Sequence, residues 1–327
     1  MENTAVREQT PFHQMGILKT ENETKGRFIA VMVTHHPESV EKIAEVVKTQ
    51  KIKTIILEDS PKALMDVIEG RKSIDSHLRE FMLNETKGKV DLEKTPEYFL
   101  TPRLASYKRR CEILCELKAE NPDLKVIILD PYYDRNAVGL KGETYEERMK
   151  LQKSINENME RVERAVAIKD FVGAVENMKA VAKEIAQQIK INDGMRAKAV
   201  ADGNFRGNVL VEMGEAHELF AKELAARNAE VSVVLANEEI MKKVFKEEKV
   251  HPPLLQLAHH YITKGEEVSK ETADLLAARA CAAAAMFSQQ LQRMIMEGKR
   301  MTAEEDYRIV KAANELSFDD CKKIVVG

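Results

Sequence analysis

The chain has 327 residues, 44% of them hydrophobic, which is ample for a buried core and sets the scale at one large domain or two smaller ones. Its 51 Lys and Arg nearly balance 54 Asp and Glu, giving a formal net charge of -3, so there is no global basic field of the kind that gathers nucleic acid. Four cysteines in so long a chain exclude a disulfide scaffold, and Cys111, Cys115, Cys281 and Cys321 read as reduced thiols that fit a reducing, cytoplasmic setting.

Residues 1–26 are polar, lack the apolar segment of a secretory signal, and read as a mobile tail. No stretch reaches the roughly 18 apolar residues of a membrane span. The nearest, Ala273–Phe287, carries Asp274 and Arg279.

Five short apolar runs then follow: Phe28–Val33, Thr54–Leu57, Val126–Leu129, Val209–Val211 (continued by Glu212-Met213) and Val231–Leu235. They are β-rich and do not alternate, as expected of strands covered on both faces in a parallel sheet. Helical patterns separate them. Glu38 to Lys48 presents Val40, Ile43, Ala44 and Val47 on one face behind Pro37, Leu104 to Ala119 ends at Asn121-Pro122, and Glu218 to Arg227 joins the last two strands. The fold class expected is therefore α/β: a mostly parallel central sheet flanked by helices, in a core domain spanning 27–250.

Two further regions are helical. The interval 143–192 is rich in Glu, Lys, Met and Ala, and reads as a long helical insertion with a break near Gly173. It is expected to pack on itself, cover the site, or join a homo-oligomer. After Pro252-Pro253, residues 251–327 form a helical C-terminal region, with Ser317-Phe318-Asp319-Asp320 as a capped helix start. The terminal Ile324-Val325-Val326 is its one strand-like signal.

Ligands of parallel α/β sheets bind beyond the carboxyl ends of the strands. The residues following the strands are therefore the candidates: Thr34, His35 and His36; Glu58 and Asp59; Asp130; then Gly214, Glu215, Ala216 and His217. Imidazole and carboxylate gathered on one edge could hold a divalent metal ion or polarise a water for hydrolysis. Neighbouring strand residues face opposite sides, so one of His35 and His36 is expected to serve. Asp59 and Asp130 also suit helix capping. Gly214 is placed where the strand turns sharply into a helix. His77 falls on a charged helix, His251 in a linker, and His259-His260 on a helix outside the sheet. No phosphate-loop, dinucleotide fingerprint, nucleophile elbow or cysteine-pair zinc motif is present.

The order of these features resembles the superfamily of TraB/PrgY-like proteins, TIKI-type metalloproteases, erythromycin esterases and ChaN-like proteins. Val33-Thr34-His35-His36 stands where that group has GTxH, with Pro37-Glu38-Ser39 behind it. Leu57-Glu58-Asp59-Ser60-Pro61 is similar to its Glu motif, Arg196 with Val200-Ala201 to its Arg element, and Gly214-Glu215-Ala216-His217 to its GxxH. The likeness spans about residues 27–236, and Val33 departs from it where a glycine stands. The resemblance implies a metal-dependent hydrolase of a peptide, amide or ester, with His36 (or His35), Glu58 and His217 as metal ligands or water activators and Arg196 steadying a carboxylate or developing oxyanion. The alternative is a small-molecule-binding or regulatory protein that uses the same cleft without turnover.

Overall fold

In the computed structural model, residues 26–58, 63–85, 101–129, 143–227, 229–246 and 250–327 are described. Nearly all of the N-terminal tail, together with Asp59 and Asp130, lies outside the described residues. The strands are β1 (Arg27–Val33), β2 (Thr54–Leu57), β3 (Lys125–Ile128), β4 (Asn208–Gly214) and β5 (Glu230–Leu235). The helices are α1 (Pro37–Thr49), α2 (Leu64–Ile68), α3 (Ile74–Glu85), α4 (Pro102–Glu120), α5 (Glu143–Ala167), α6 (Phe171–Asp202), α7 (Glu218–Ala225), α8 (Glu238–Phe245), α9 (Pro253–Lys264), α10 (Lys270–Met296), α11 (Ala303–Glu315) and α12 (Phe318–Val326).

All five expected strands form, and every pairing is parallel in the order β3-β2-β4-β1-β5. The non-alternating runs are explained by cover on both faces. Ile29, Val31, Ile55, Leu57 and Leu210 pack with α1, α2 and α4 on one face. Phe28, Ala30, Met32, Ile56, Val209, Val211 and Met213 pack with α6 and α7 on the other. The β1–α1–β2 connection passes over β4, and β4–α7–β5 passes over β1. Neighbouring strands β1 and β4 thus send their helices to opposite faces, which opens a crevice at their carboxyl ends.

A second core joins α5 and α6 to α9, α10 and α12, through residues such as Val175, Met178, Leu257, Ala277 and Val325. The expected break near Gly173 falls instead at residues 168–170, where Asp170 caps α6 by accepting from the Gly173 N–H at 2.9 Å. From there α6 runs unbroken to Asp202. Its first turns serve the helical core, while Ala197 and Val200 serve the sheet. The stretch expected as an insertion ending at residue 192 therefore continues as the helix that covers the sheet edge. Ser317 caps α12 as expected, but Ile324-Val325-Val326 is the last turn of that helix and not a strand. Three β-branched residues were too short a run to outweigh the cap and the burial of Val325. Among the described residues, no helix is long and apolar enough to cross a membrane.

Candidate active site at the carboxyl edge of the sheet

Glu58 follows Leu57, whose side chain faces α1 and α4, so strand alternation turns Glu58 to the opposite face, under α6 and α7. There its carboxylate is fully engaged. Oε1 accepts from the Arg196 guanidinium and from His217 Nε2 at 2.9 Å, and Oε2 accepts from the Gly214 N–H at 2.7 Å. His217, the N-cap residue of α7, is held from its other side by Asp193, with Nδ1 2.5 Å from Oδ1. The second oxygen of Asp193 accepts from the Phe220 N–H at 2.9 Å and so caps the first turn of α7. Asp193 and Arg196 lie three residues apart on α6 and thus on one helix face.

Two carboxylates and two cations are closed into one network, with Asp193 fully buried while Glu58 and His217 keep 11% and 15% of their side chains in contact with solvent. Burial disfavours the charge on His217, but the Glu58 and Asp193 carboxylates outweigh it and raise its pKa to about 10. Burial likewise opposes ionisation of Glu58, yet Arg196 and then His217 hold its carboxyl well below the usual range. At neutral pH His217 is an imidazolium donating from both ring nitrogens.

A buried ion pair props the strand end. Arg110 of α4 donates to Glu212 of β4 at 3.1 Å and to the Glu58 carbonyl at 3.3 Å, tying the backbone of Glu58 to the opposite face of the sheet.

The histidines after β1 divide as alternation predicts: His36 is buried and His35 exposed. However, His36 does not join Glu58 and His217. It is the N-cap residue of α1 without a side-chain cap bond, and its Nε2 lies 3.1 Å from Asp306 of α11. Glu215 is likewise turned away, accepting from the Tyr307 hydroxyl at 2.7 Å. Gly214 is not required by a sharp turn, since its φ is not positive and a Cβ there would stand 3.6 Å from the His217 ring. Among the remaining histidines, His77 is buried against the Tyr107 hydroxyl at 2.7 Å, and His251 lies in the linker before α9, where it pairs with Glu218 at 2.8 Å. Sequence reasoning missed Asp193, Asp306 and Tyr307. For Asp193 a signal existed in its i, i+3 spacing to Arg196, masked by Asn192-Asp193-Gly194, which reads as a turn.

The metal ion implied by the resemblance would need a neutral Nε2 on His217, a Glu58 oxygen released from Arg196, and a third ligand. The Asp193 contact at Nδ1 suits a ligating histidine, but His36, the expected third ligand, faces Asp306. Among the described residues, no group of three His, Cys, Asp or Glu side chains is arranged to hold an ion. These residues do not fit a metal centre in this arrangement, and what the network offers is proton transfer.

No family model matches the chain, and no curated protein or solved structure matches it either. The likeness to the TraB and erythromycin-esterase group is therefore carried by the motif residues alone.

Proposed function

We propose that the chain is a hydrolase of ester or amide bonds in which His217, supported by Asp193 and tuned by Glu58, handles the proton of an attacking water. The observation that carries this reading is the Asp193–His217–Glu58 chain of hydrogen bonds, set at the crevice with one edge open to solvent. A carboxylate on Nδ1 fixes the imidazole, and Nε2 reaches a water once Glu58 Oε1, 2.9 Å away at rest, gives way to it. When Nε2 has lost its proton, it takes one from water as the water oxygen bonds to the carbonyl carbon. It returns that proton to the leaving alkoxide or amine as the carbonyl–heteroatom bond breaks. Arg196 keeps Glu58 ionised beside the ring and adds positive charge where an oxyanion develops.

The test is a panel of peptide, amide and ester substrates, assayed with the wild-type chain and with His217→Ala, each with and without a chelator. Chelator-resistant turnover that His217→Ala abolishes is expected. Turnover that survives the substitution overturns the reading, and turnover lost to chelator restores the metal-dependent form that the resemblance implies.

A second reading, ligand binding or regulation without turnover, is favoured by the engagement of both ring nitrogens of His217 in the resting network. It is distinguished by ligand-induced thermal stabilisation, lost in Glu58→Ala, with no product formed. A cytoplasmic location and a homo-oligomer through the long helices also belong to the proposal. The buried faces of α5 and α6 are occupied within the chain, while among the described residues Met149 on α5, Ile168 in the turn and Val172 on α6 stand exposed for such a contact.

A further inference from the structure

We propose that the crevice carries a second polar subsite, built on His36 and Asn237 and closed by α11, that takes a primary ammonium group of the substrate.

Two buried acceptors there have no partner. The Nε2–H of His36 donates to Asp306, which in the neutral imidazole leaves Nδ1 as an acceptor; that atom is buried and unbonded. Asn237 is 1% exposed and caps α8, yet its side chain does not bond the helix amides. Its Nδ2 donates instead to Thr34 Oγ1 at 2.6 Å and to Tyr307 Oη at 3.3 Å. The hydroxyl of Tyr307 is spent on Glu215, so these contacts fix the amide with Oδ1 turned away, buried and unbonded. Both orphans belong to one cluster, because Thr34 lies two residues from His36, and Asp306 and Tyr307 are neighbours on α11.

A buried acceptor left unsatisfied is costly, so two in one cluster point to a missing donor. The Asp306 and Glu215 carboxylates beside them favour a cation over a neutral donor and repel an anion. An ammonium group supplies three N–H donors to such a set. Asp306 keeps 35% of its side chain exposed and so gives the cluster an approach from solvent. Val33 and Gly214 are register partners, so this cluster and the Glu58–His217 pair lie on adjoining strand ends. The inference rests on the hydrolase reading for its substrate class, an ester or amide carrying a free primary amine, such as an aminoacyl compound.

The full chain is titrated with propylammonium, and with propionate as control, while the His36 ring resonances are followed by NMR. A saturable response to propylammonium alone is expected, weakened tenfold or more in Asp306→Asn and lost in Asn237→Leu. Asp306→Asn changes a partly exposed group and carries the test if the buried variant does not fold. No saturable response in the folded wild type overturns the subsite and assigns the orphans to a buried water; a response unchanged in Asp306→Asn also overturns it. The p-nitrophenyl esters of alanine and N-acetylalanine then separate the two readings. Equal hydrolysis of both removes the subsite and leaves the hydrolase. Propylammonium binding with neither ester hydrolysed keeps the subsite and removes the hydrolase.

Discussion

His36 and His217 stand at equivalent positions, each three residues beyond one member of the Val33–Gly214 register pair and each the N-cap of the helix that follows. Each receives a carboxylate from a helix outside its own βα unit: Asp306 on α11 for His36, Asp193 on α6 for His217. They differ in the second ring nitrogen. His217 has Glu58 there, while His36 has no partner. One is thereby held by carboxylates on both ring nitrogens, and the other keeps a buried, unbonded Nδ1.

On the proposed hydrolase reading, which takes neutral His217 as the reactive form, the rate should rise with pH toward about 10, where its pKa stands. Glu58→Gln removes a negative charge beside the imidazolium. The pKa of His217 then falls, and the profile moves to lower pH. Rate–pH profiles with the NMR titration of His217 check both, and a wild-type profile flat from pH 6 to 10 contradicts the assignment.

Stability should follow the same groups with opposite signs. The raised His217 pKa gives a contribution fully present below about 6.5 and lost as pH rises toward about 10. The depressed Glu58 pKa gives one present above about 4.5 and lost as pH falls below it. The network therefore contributes most between about pH 4.5 and 6.5. Urea midpoints of the wild type should decline from pH 6.5 to 10, and those of His217→Phe should decline less over that range.

Asp193→Asn keeps the shape but removes the charge that holds His217 and weakens the cap on the Phe220 N–H. A loss of about 1–3 kcal/mol is expected, in line with a buried hydrogen-bonded group left poorly matched. Equilibrium denaturation measures it, and the His217 pKa should drop in the same variant.

Arg196→Met strips Glu58 of its strongest partner in a site where both are nearly buried. Breaking such a pair costs roughly 3–5 kcal/mol, whereas replacing both members by apolar residues recovers much of it. The double variant Arg196→Met/Glu58→Met should thus be more stable than Arg196→Met alone, as a double-mutant cycle would show.

Gly214→Ala should fold with a stability within about 1 kcal/mol of the wild type, since the added methyl meets only ordinary contacts, 3.6 Å from the His217 ring and 3.9 Å from Glu58. The methyl stands over the pair, so substrate binding should weaken while the unfolding midpoint holds. A collapse of stability would mean that the strand end needs a glycine after all.

Much of this architecture is determined by the sequence alone. Five non-alternating apolar runs, each followed by a helical pattern, have few solutions other than a parallel sheet covered on both faces, because such strands have no polar side to give to water. The same runs mark their own carboxyl ends, which is why Glu58 and His217 are legible as strand-end residues that meet there. What tertiary structure alone decides is pairing. Whether His36 meets Glu58 or Asp306 depends on where α11 packs, 270 residues away in the chain. Asp193 and Arg196 reach the sheet because α6 runs unbroken from the helical core through Asn192-Asp193-Gly194 to Asp202. Local propensity at that tripeptide favours a turn, and packing against two cores at once overrides it. The charge state of the site follows from those contacts, since a carboxylate raises an imidazole pKa only when the fold brings the two together.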